Sequence, residues 1–154
     1  MIVKGEHGFS GRPELVWELL LDPEVIAKAM PGTRELTLTA PNRYEGRMVV
    51  TIGPVTAAEF ALVILLEELA PPRRFVMQVD GNGRFGFTRG TARVELAPDD
   101  GGTRMLYEAD LHVGGKIAAV GQRLLDVVSR TLLRAGLAAL GKELEHRLGD
   151  GNRP

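Results

Sequence analysis

The chain has 154 residues, a formal net charge of -1 and no cysteine, so it is long enough for one domain with a single core and has neither a disulfide nor a thiolate metal site. Its 19 basic residues are scattered and balanced by 20 acidic ones, which excludes the positive patch of a nucleic-acid-binding protein. Because no stretch is apolar enough to cross a membrane, we expect a cytoplasmic protein, either free or peripheral at the inner face of the membrane.

The N-terminal part of the chain predicts one short strand and two short helices. Residues 1–9 contain two glycines and have the length of an edge strand. Pro13 suits the first turn of a helix, which a run of apolar residues continues. Asp22 caps a second helix that begins with proline and ends at Pro31. The two helices are therefore expected to form a compact elbow.

Between residues 34 and 113 the sequence predicts five or six consecutive strands. Apolar and polar residues alternate there, so that Tyr107 and Leu111 point one way and Glu108 points the other. Turns rich in proline, glycine, asparagine and aspartate separate the segments, at 41–42, 53–54, 71–72 and 99–102. Strands that are joined by such short turns are antiparallel neighbours.

The last long apolar run, residues 114–148, predicts a single helix of roughly 45 to 50 Å. Its apolar residues lie on one face as far as Ala135. Beyond that point a second stripe begins on the opposite side, formed by Leu137, Leu140, Leu144 and Leu148. Either the helix bends near Gly136 or Gly141 and keeps both stripes on one core, or the second stripe faces a partner or a membrane surface.

The final helix is the only element large enough to cover the apolar face of the predicted sheet. The sequence therefore predicts an α+β domain over residues 1–148, followed by a flexible polar tail over 149–154. Its elements follow the order β-α-α-β(5–6)-α, and a curved antiparallel sheet wraps around the long C-terminal helix. One helix about 10 Å wide does not fill such a concavity, so an elongated apolar cavity is expected between sheet and helix.

Four strings carry a family resemblance, namely LDPEVIAKAMPG at 21–32, IGPV at 52–55, GFTRGTARV at 86–94 and VGGKIAAVGQRLL at 113–125. With the order of elements, they resemble the helix-grip superfamily of START, Bet v 1-like and polyketide-cyclase-like (SRPBCC) domains. More narrowly, they resemble the CoxG-type family of carbon monoxide dehydrogenase. The resemblance implies a seven-stranded grip fold and an accessory role beside a molybdenum hydroxylase of the CO dehydrogenase type.

The C-terminus departs from one pattern within that family. Members with a hydrophobic C-terminal extension are expected to attach to a membrane, whereas this chain ends in GDGNRP. The leucine stripe between residues 137 and 148 is then the only candidate for a weak contact with a membrane surface.

The candidate functional residues are those expected to line the cavity. The predicted wall consists of Phe60, Leu62, Phe75, Met77, Phe87, Met105, Tyr107, Leu111, Val120, Leu124, Val128 and Leu132. Within it, Tyr107 is a candidate to orient a ligand carbonyl, because a buried phenol needs a hydrogen-bond partner. Met30 and Pro31 are candidate gate residues, and Gly114-Gly115 is either a hinge or a sharp turn from strand into helix.

No catalytic or metal-binding set is predicted, and no cofactor is expected. The motif Gly81-Asn-Gly-Arg-Phe-Gly86 matches the dinucleotide fingerprint in letters, but a strand follows it where that fingerprint needs a helix, which favours a hairpin. His7, His112 and His146 lie in different elements without metal-ligand spacing. Adjacent carboxylates on a strand point to opposite faces and do not form a catalytic pair.

Three functions are compatible with this pattern. The leading hypothesis is a non-enzymatic carrier of an apolar small molecule, quinone-like or lipid-like, that serves a CO dehydrogenase-like molybdenum hydroxylase. The second is an assembly or membrane-recruitment factor for that dehydrogenase, acting through the leucine stripe on the C-terminal helix. The third is a cyclase or hydrolase, which requires a buried acid or base among the residues that point inward.

Overall fold

The computed structural model describes residues 1–151. The strands are β1 Ile2–Phe9, β2 Thr33–Ala40, β3 Arg43–Ile52, β4 Val55–Ala70, β5 Arg74–Gly83, β6 Gly86–Asp99 and β7 Gly102–Gly114. The helices are α1 Pro13–Leu21, α2 Pro23–Ala29, a short 3-10 helix Lys116–Val120 and α3 Gln122–Gly151. Helix α3 therefore includes residues 149–151 of the predicted polar tail, and residues 152–154 of that tail lie outside the described residues.

The strands form one antiparallel sheet in the order β1-β7-β6-β5-β4-β3-β2. Strands β2 to β7 pair in chain order, and β1 pairs with β7. The elbow of α1 and α2 thus connects the two edge strands of the sheet. The α+β helix-grip architecture that the sequence predicts is confirmed, with six strands in the central run and seven in all.

Strand β4 defines the two faces of the sheet. Phe60, Leu62 and Ile64 are buried on the face that we call the inner face, while Glu59 and Ala61 between them are exposed on the outer face. The period of two follows from the pleat of the strand, which sends successive side chains to opposite sides. Cross-strand pairing carries the same assignment through the other strands.

The inner face contributes to two hydrophobic clusters at opposite ends of the sheet. The elbow cluster joins α1, α2, the sheet and the second half of α3, with buried residues that include Val16, Trp17, Leu19, Phe75 and Leu144. The hairpin cluster joins the tip of the β3–β4 hairpin to the start of α3 and consists of Ile52, Ala58, Phe60, Ile117 and Leu125, with further half-buried residues packed around them. Helix α3 connects the two clusters.

The leucine stripe of the final helix packs in the protein's own core. Leu140 and Leu144 are 7% and 2% exposed and belong to the elbow cluster, against which Leu137 and Leu148 also pack. This agrees with the interpretation that both stripes serve one core. The prediction that these leucines face a partner or a membrane surface is wrong for this structure, because the elbow of α1 and α2 covers them.

The predicted start of the final helix at residue 114 is also wrong. Strand β7 continues to Gly114, and a short 3-10 helix precedes α3. Gly115 and Gly121 flank that 3-10 helix with φ values of 80° and 101°. Such values interrupt an α-helix and strongly favour glycine. The glycine pair 114–115 therefore forms the turn from strand into helix.

An ion-pair network ties the elbow to the end of α3. Asp22 accepts a hydrogen bond from the backbone N–H of Glu24 at 3.0 Å, as its predicted capping role requires, and another from Arg147 Nη2 at 2.6 Å. Glu143 pairs with Lys28 at 3.0 Å and with Arg147 at 3.7 Å. Burial by itself raises the pKa of Asp22, but the hydrogen bonds from Arg147 and Glu24 hold this pKa below its ordinary value.

The substitution Asp22→Asn is expected to lower the free energy of unfolding at pH 7 by about 1 kcal/mol, because asparagine still caps α2 but no longer pairs as an anion with Arg147. The pKa of Asp22 is lower in the folded state than in the unfolded chain, so this stabilisation is present above about pH 4 and is lost as the pH falls through the folded-state value. Urea titrations should therefore show a difference that disappears in acid.

The matched control for that substitution is Asp126→Asn on α3. Asp126 pairs with Arg130 at 3.0 Å on an exposed helix face, where such pairs contribute about 0.3–0.5 kcal/mol. A D22N effect at pH 7 no larger than that of D126N would contradict the structural role assigned to the Asp22–Arg147 pair.

Candidate functional site

The candidate site is the inner face of the sheet between the two hydrophobic clusters. Along β7, Met105 and Tyr107 pack with the elbow cluster and Val113 packs with the hairpin cluster. Ala109 and Leu111 lie between them on the same face. Along α3, Leu132 holds the corresponding position between residues that pack with one cluster and the other. The site is thus a band of the interior that neither cluster fills.

Small side chains form the sheet side of this band. Ala92 on β6 pairs with Ala109 on β7, and Gly90 pairs with Leu111. All four are half-buried although they face inward, whereas Leu62 and Ile64 on β4 are 2% and 0% exposed on the same face. Because alanine and glycine extend only a short way from the sheet, space remains between them and α3.

Most residues of the predicted wall lie on the inner face or on the facing part of the helix, divided between the two clusters. Leu62, Phe75 and Met105 are buried in the elbow cluster, and Met77 and Tyr107 pack against it. Phe60 is buried in the hairpin cluster, and Val120, Leu124 and Val128 pack against it. Leu111 and Leu132 remain in the band between the clusters.

Phe87 is the exception, and its assignment to the wall is wrong. It pairs with Asn82 and Gly114 and points to the outer face, where the Arg89 guanidinium lies 4.9 Å from the centre of its ring. The β5–β6 hairpin, which contains the glycine motif of residues 81–86, fixes which residues of β6 point inward. Those residues are Thr88, Gly90 and Ala92 rather than Phe87.

Tyr107 crosses the neighbouring edge strand with its aromatic ring. An added Cβ at Gly5 would lie 2.5 Å from the Tyr107 hydroxyl oxygen, so only glycine leaves room for this ring. The described residues provide no hydrogen-bond partner for the hydroxyl. A second tyrosine, Tyr44, differs: it is buried and donates to the carbonyl of Leu21 at 2.6 Å. Burial, and then the charge of Asp22, raise the pKa of Tyr44.

The proposed gate lies where α2 meets β2. Met30 and Pro31 are half-buried, and Met30 packs against the elbow cluster. The helix before them approaches α3 closely, because an added Cβ at Gly136 would overlap the carbonyl oxygen of Ala29. Contact between the two backbones therefore fixes the position of the segment that carries Met30 and Pro31.

Ionisable groups of the described strands lie mainly on the outer face. By register, the inward positions of β3 to β7 carry no carboxylate. His7 points inward at the edge strand, with its ring 4.8 Å from that of Phe9, while His112 lies 3.4 Å from Asp110 on the outer face. Over residues 1–151, no group of three or more potential ligands is placed to hold a metal ion.

A polar recess of about 460 Å³ lies on the outer face of β5, β6 and β7. Its lining includes Asp80, Arg89, Asp110 and His112. These side chains are more than half exposed, and their ion pairs are long. The recess is separate from the predicted apolar cavity, which belongs to the opposite face. No helix of the described chain is long and apolar enough to cross a membrane.

The small residues Gly90, Ala92 and Ala109 were not part of the predicted wall. Their signal is present in the sequence as alternation of small residues in GTA at 90–92 and in EAD at 108–110. A wall is ordinarily predicted from large apolar residues, whereas space depends on the positions where such residues are missing.

The sequence matches the family model of CoxG, a component of carbon monoxide dehydrogenase, over residues 5–144. None of the curated proteins matches the chain. The match includes both hydrophobic clusters and the band between them, and it ends at Leu144 in the leucine stripe.

Several solved structures resemble this one over nearly the whole chain. A conserved protein from Geobacillus kaustophilus is 28% identical with a TM-score of 0.88, over 95% of this chain and 96% of that one. Protein Ms6760 from Mycobacterium smegmatis is 16% identical with a TM-score of 0.70, over 95% and 92%. Ara h 8.0201 is 11% identical with a TM-score of 0.67, over 95% and 98%. The neighbours have the SRPBCC/Bet v 1-like fold, as the sequence predicts.

Proposed function

This chain belongs to the CoxG family of carbon monoxide dehydrogenase, and we propose that it is a non-enzymatic carrier of an apolar small molecule. Membership of this family suggests an accessory role for CO dehydrogenase. In our proposal the ligand is quinone-like or lipid-like, it occupies the band between the two hydrophobic clusters, and the partner is a CO dehydrogenase-like molybdenum hydroxylase.

The observation that carries this proposal is the set of inward-facing residues that remain half-buried. In a filled core, Leu111 and Leu132 would be as enclosed as Ile64, which is 0% exposed. Instead they lie beside Gly90, Ala92 and Ala109, where the sheet has no large side chains. A site that is apolar, partly open and enclosed at both ends by packed clusters suits an elongated apolar ligand.

The chemistry of the walls supports the same class of ligand. Met30, Met48 and Met77 are half-buried on the inner side and adapt to the shape of a ligand. The Tyr107 hydroxyl supplies a polar contact for a ligand oxygen. A dehydrogenase that passes electrons to a membrane pool needs a quinone-like acceptor, and an apolar sleeve without redox groups of its own suits the transport of one.

The two alternatives receive less support. Recruitment through the leucine stripe requires an accessible surface, whereas Leu140 and Leu144 are enclosed by the elbow. A cyclase or hydrolase requires an acid or base that faces the ligand, and the inward positions of β3 to β7 offer no carboxylate. The carrier requires neither of these features.

Native mass spectrometry of the protein as purified, followed by denaturing extraction of the retained mass, tests the proposal. We expect a bound species of several hundred daltons with a polyprenyl or fatty-acyl fragmentation pattern. Protein without a retained ligand is then incubated with quinones and with phospholipids and measured again. A clean apo mass in both experiments would overturn the carrier function.

A further inference from the structure

Thr33 is the first residue of β2 and follows directly on the gate segment. Its backbone N–H donates to the carbonyl of Met30 at 3.0 Å, which turns the chain from α2 into the strand. It pairs with Met48 on β3, and Met48 points to the inner face because it pairs in turn with Phe60. The side chain of Thr33 therefore points to the inner face at the gate end of the interior.

The Thr33 hydroxyl is a buried polar group that lacks a partner. Its Oγ1 is enclosed, and no hydrogen-bond partner is found for it within residues 1–151. The side chains of Met30 and Met48 beside it are apolar. Buried hydroxyls nearly always have a partner, because an unpaired one loses its hydration without compensation. A threonine at this position therefore indicates a partner that comes from outside the chain.

We propose that the Thr33 hydroxyl donates a hydrogen bond to an oxygen of the bound ligand and so orients the oxygen-bearing end of that ligand under the gate residues Met30 and Pro31. This inference rests on the proposed carrier function and specifies its ligand as an apolar molecule with an acceptor oxygen at one end. The hydroxyl adds selectivity, because a hydrocarbon of the same shape leaves it unpaired.

The test compares two probes that differ only in their carbonyl oxygens, 2-methyl-1,4-naphthoquinone and 2-methylnaphthalene. The absence of cysteine from the chain removes thiol addition to the quinone as a side reaction. Both probes are measured by displacement of N-phenyl-1-naphthylamine from the wild type and from the Thr33→Val variant, which keeps the shape of the side chain and removes the hydroxyl. Thr33→Ser restores a hydroxyl, and Thr37→Val makes the same change at an exposed position of β2.

We expect T33V to bind the quinone about 10-fold more weakly and the hydrocarbon within about 2-fold of the wild type, a difference of about 1.4 kcal/mol between the probes. T33S should retain most of the preference for the quinone, and T37V should match the wild type. The midpoint of thermal unfolding of ligand-free T33V should not fall, because the lost group is unpaired in the free protein.

Equal losses for both probes in T33V, or no loss for either, would overturn the orienting role while leaving the carrier function in place. A wild-type protein that binds neither probe and also retains no natural ligand would instead overturn the carrier function, and the orienting role with it.

Discussion

The substitution Gly136→Ala is expected to lower the free energy of unfolding by about 1–3 kcal/mol, whereas Gly141→Ala on the same helix should raise it by about 0.5–1 kcal/mol. An added Cβ at Gly136 overlaps the backbone carbonyl oxygen of Ala29, while no atom lies within 4 Å of one added at Gly141. Both residues lie inside α3 and gain the same helix propensity, so the difference between them reports the close approach of α2 and α3.

The measurement is chemical unfolding of the two variants beside the wild type. If G136A were as stable as G141A, the backbones of α2 and α3 would not lie in contact. The pair of variants also probes the gate, because Ala29 directly precedes Met30 and Pro31. We therefore expect G136A to change the affinity for an apolar probe, and G141A to leave it unchanged.

The order of elements and the faces of most strands follow from the sequence, because both depend on local chemistry. In β7, Met105, Tyr107 and Leu111 face inward as the alternation with charged residues requires. Asp22 caps α2 as its side-chain chemistry and the proline after it require. Each of these predictions uses residues that are neighbours in the chain.

Features that depend on a single residue at a turn are harder to predict. Phe87 follows a hairpin whose exact length decides which face it meets, and a shift of one residue sends every side chain to the other face. The beginning of α3 depends likewise on Gly115 and Gly121, whose positive φ values interrupt a pattern that otherwise reads as one helix. An apolar helical pattern does not show where such a break lies.

The leucine stripe requires knowledge of distant packing. On a helical wheel, Leu140 and Leu144 lie opposite the first apolar face, which suggests a second surface. In the folded chain, the elbow from the N-terminal part packs on that side, and Leu144 lies in contact range of Gly11. The sequence contains both halves of this contact but not their proximity, so periodicity alone does not distinguish core from interface.

Filling the centre of the band is expected to abolish binding without harming the fold. Ala109 lies on the inner face of β7, opposite Ala92 and Val3 on the neighbouring strands. The substitution Ala109→Leu adds three carbon atoms at this point and should weaken the binding of an apolar ligand by 30-fold or more, which corresponds to about 2 kcal/mol. Ala61→Leu adds the same atoms on the exposed outer face of β4 and should bind as the wild type does.

Stability distinguishes a ligand site from an ordinary core at the same position. If the interior around Ala109 were fully packed, the larger side chain would lower the free energy of unfolding by about 1–3 kcal/mol. If the space is there for a ligand, the ligand-free A109L protein should unfold within about 0.5 kcal/mol of the wild type, because leucine then occupies room that is already free. Unchanged binding by A109L would place the ligand elsewhere, and a loss of both stability and binding would identify the band as core. Retained stability with lost binding is the result that the half-buried inner residues lead us to expect.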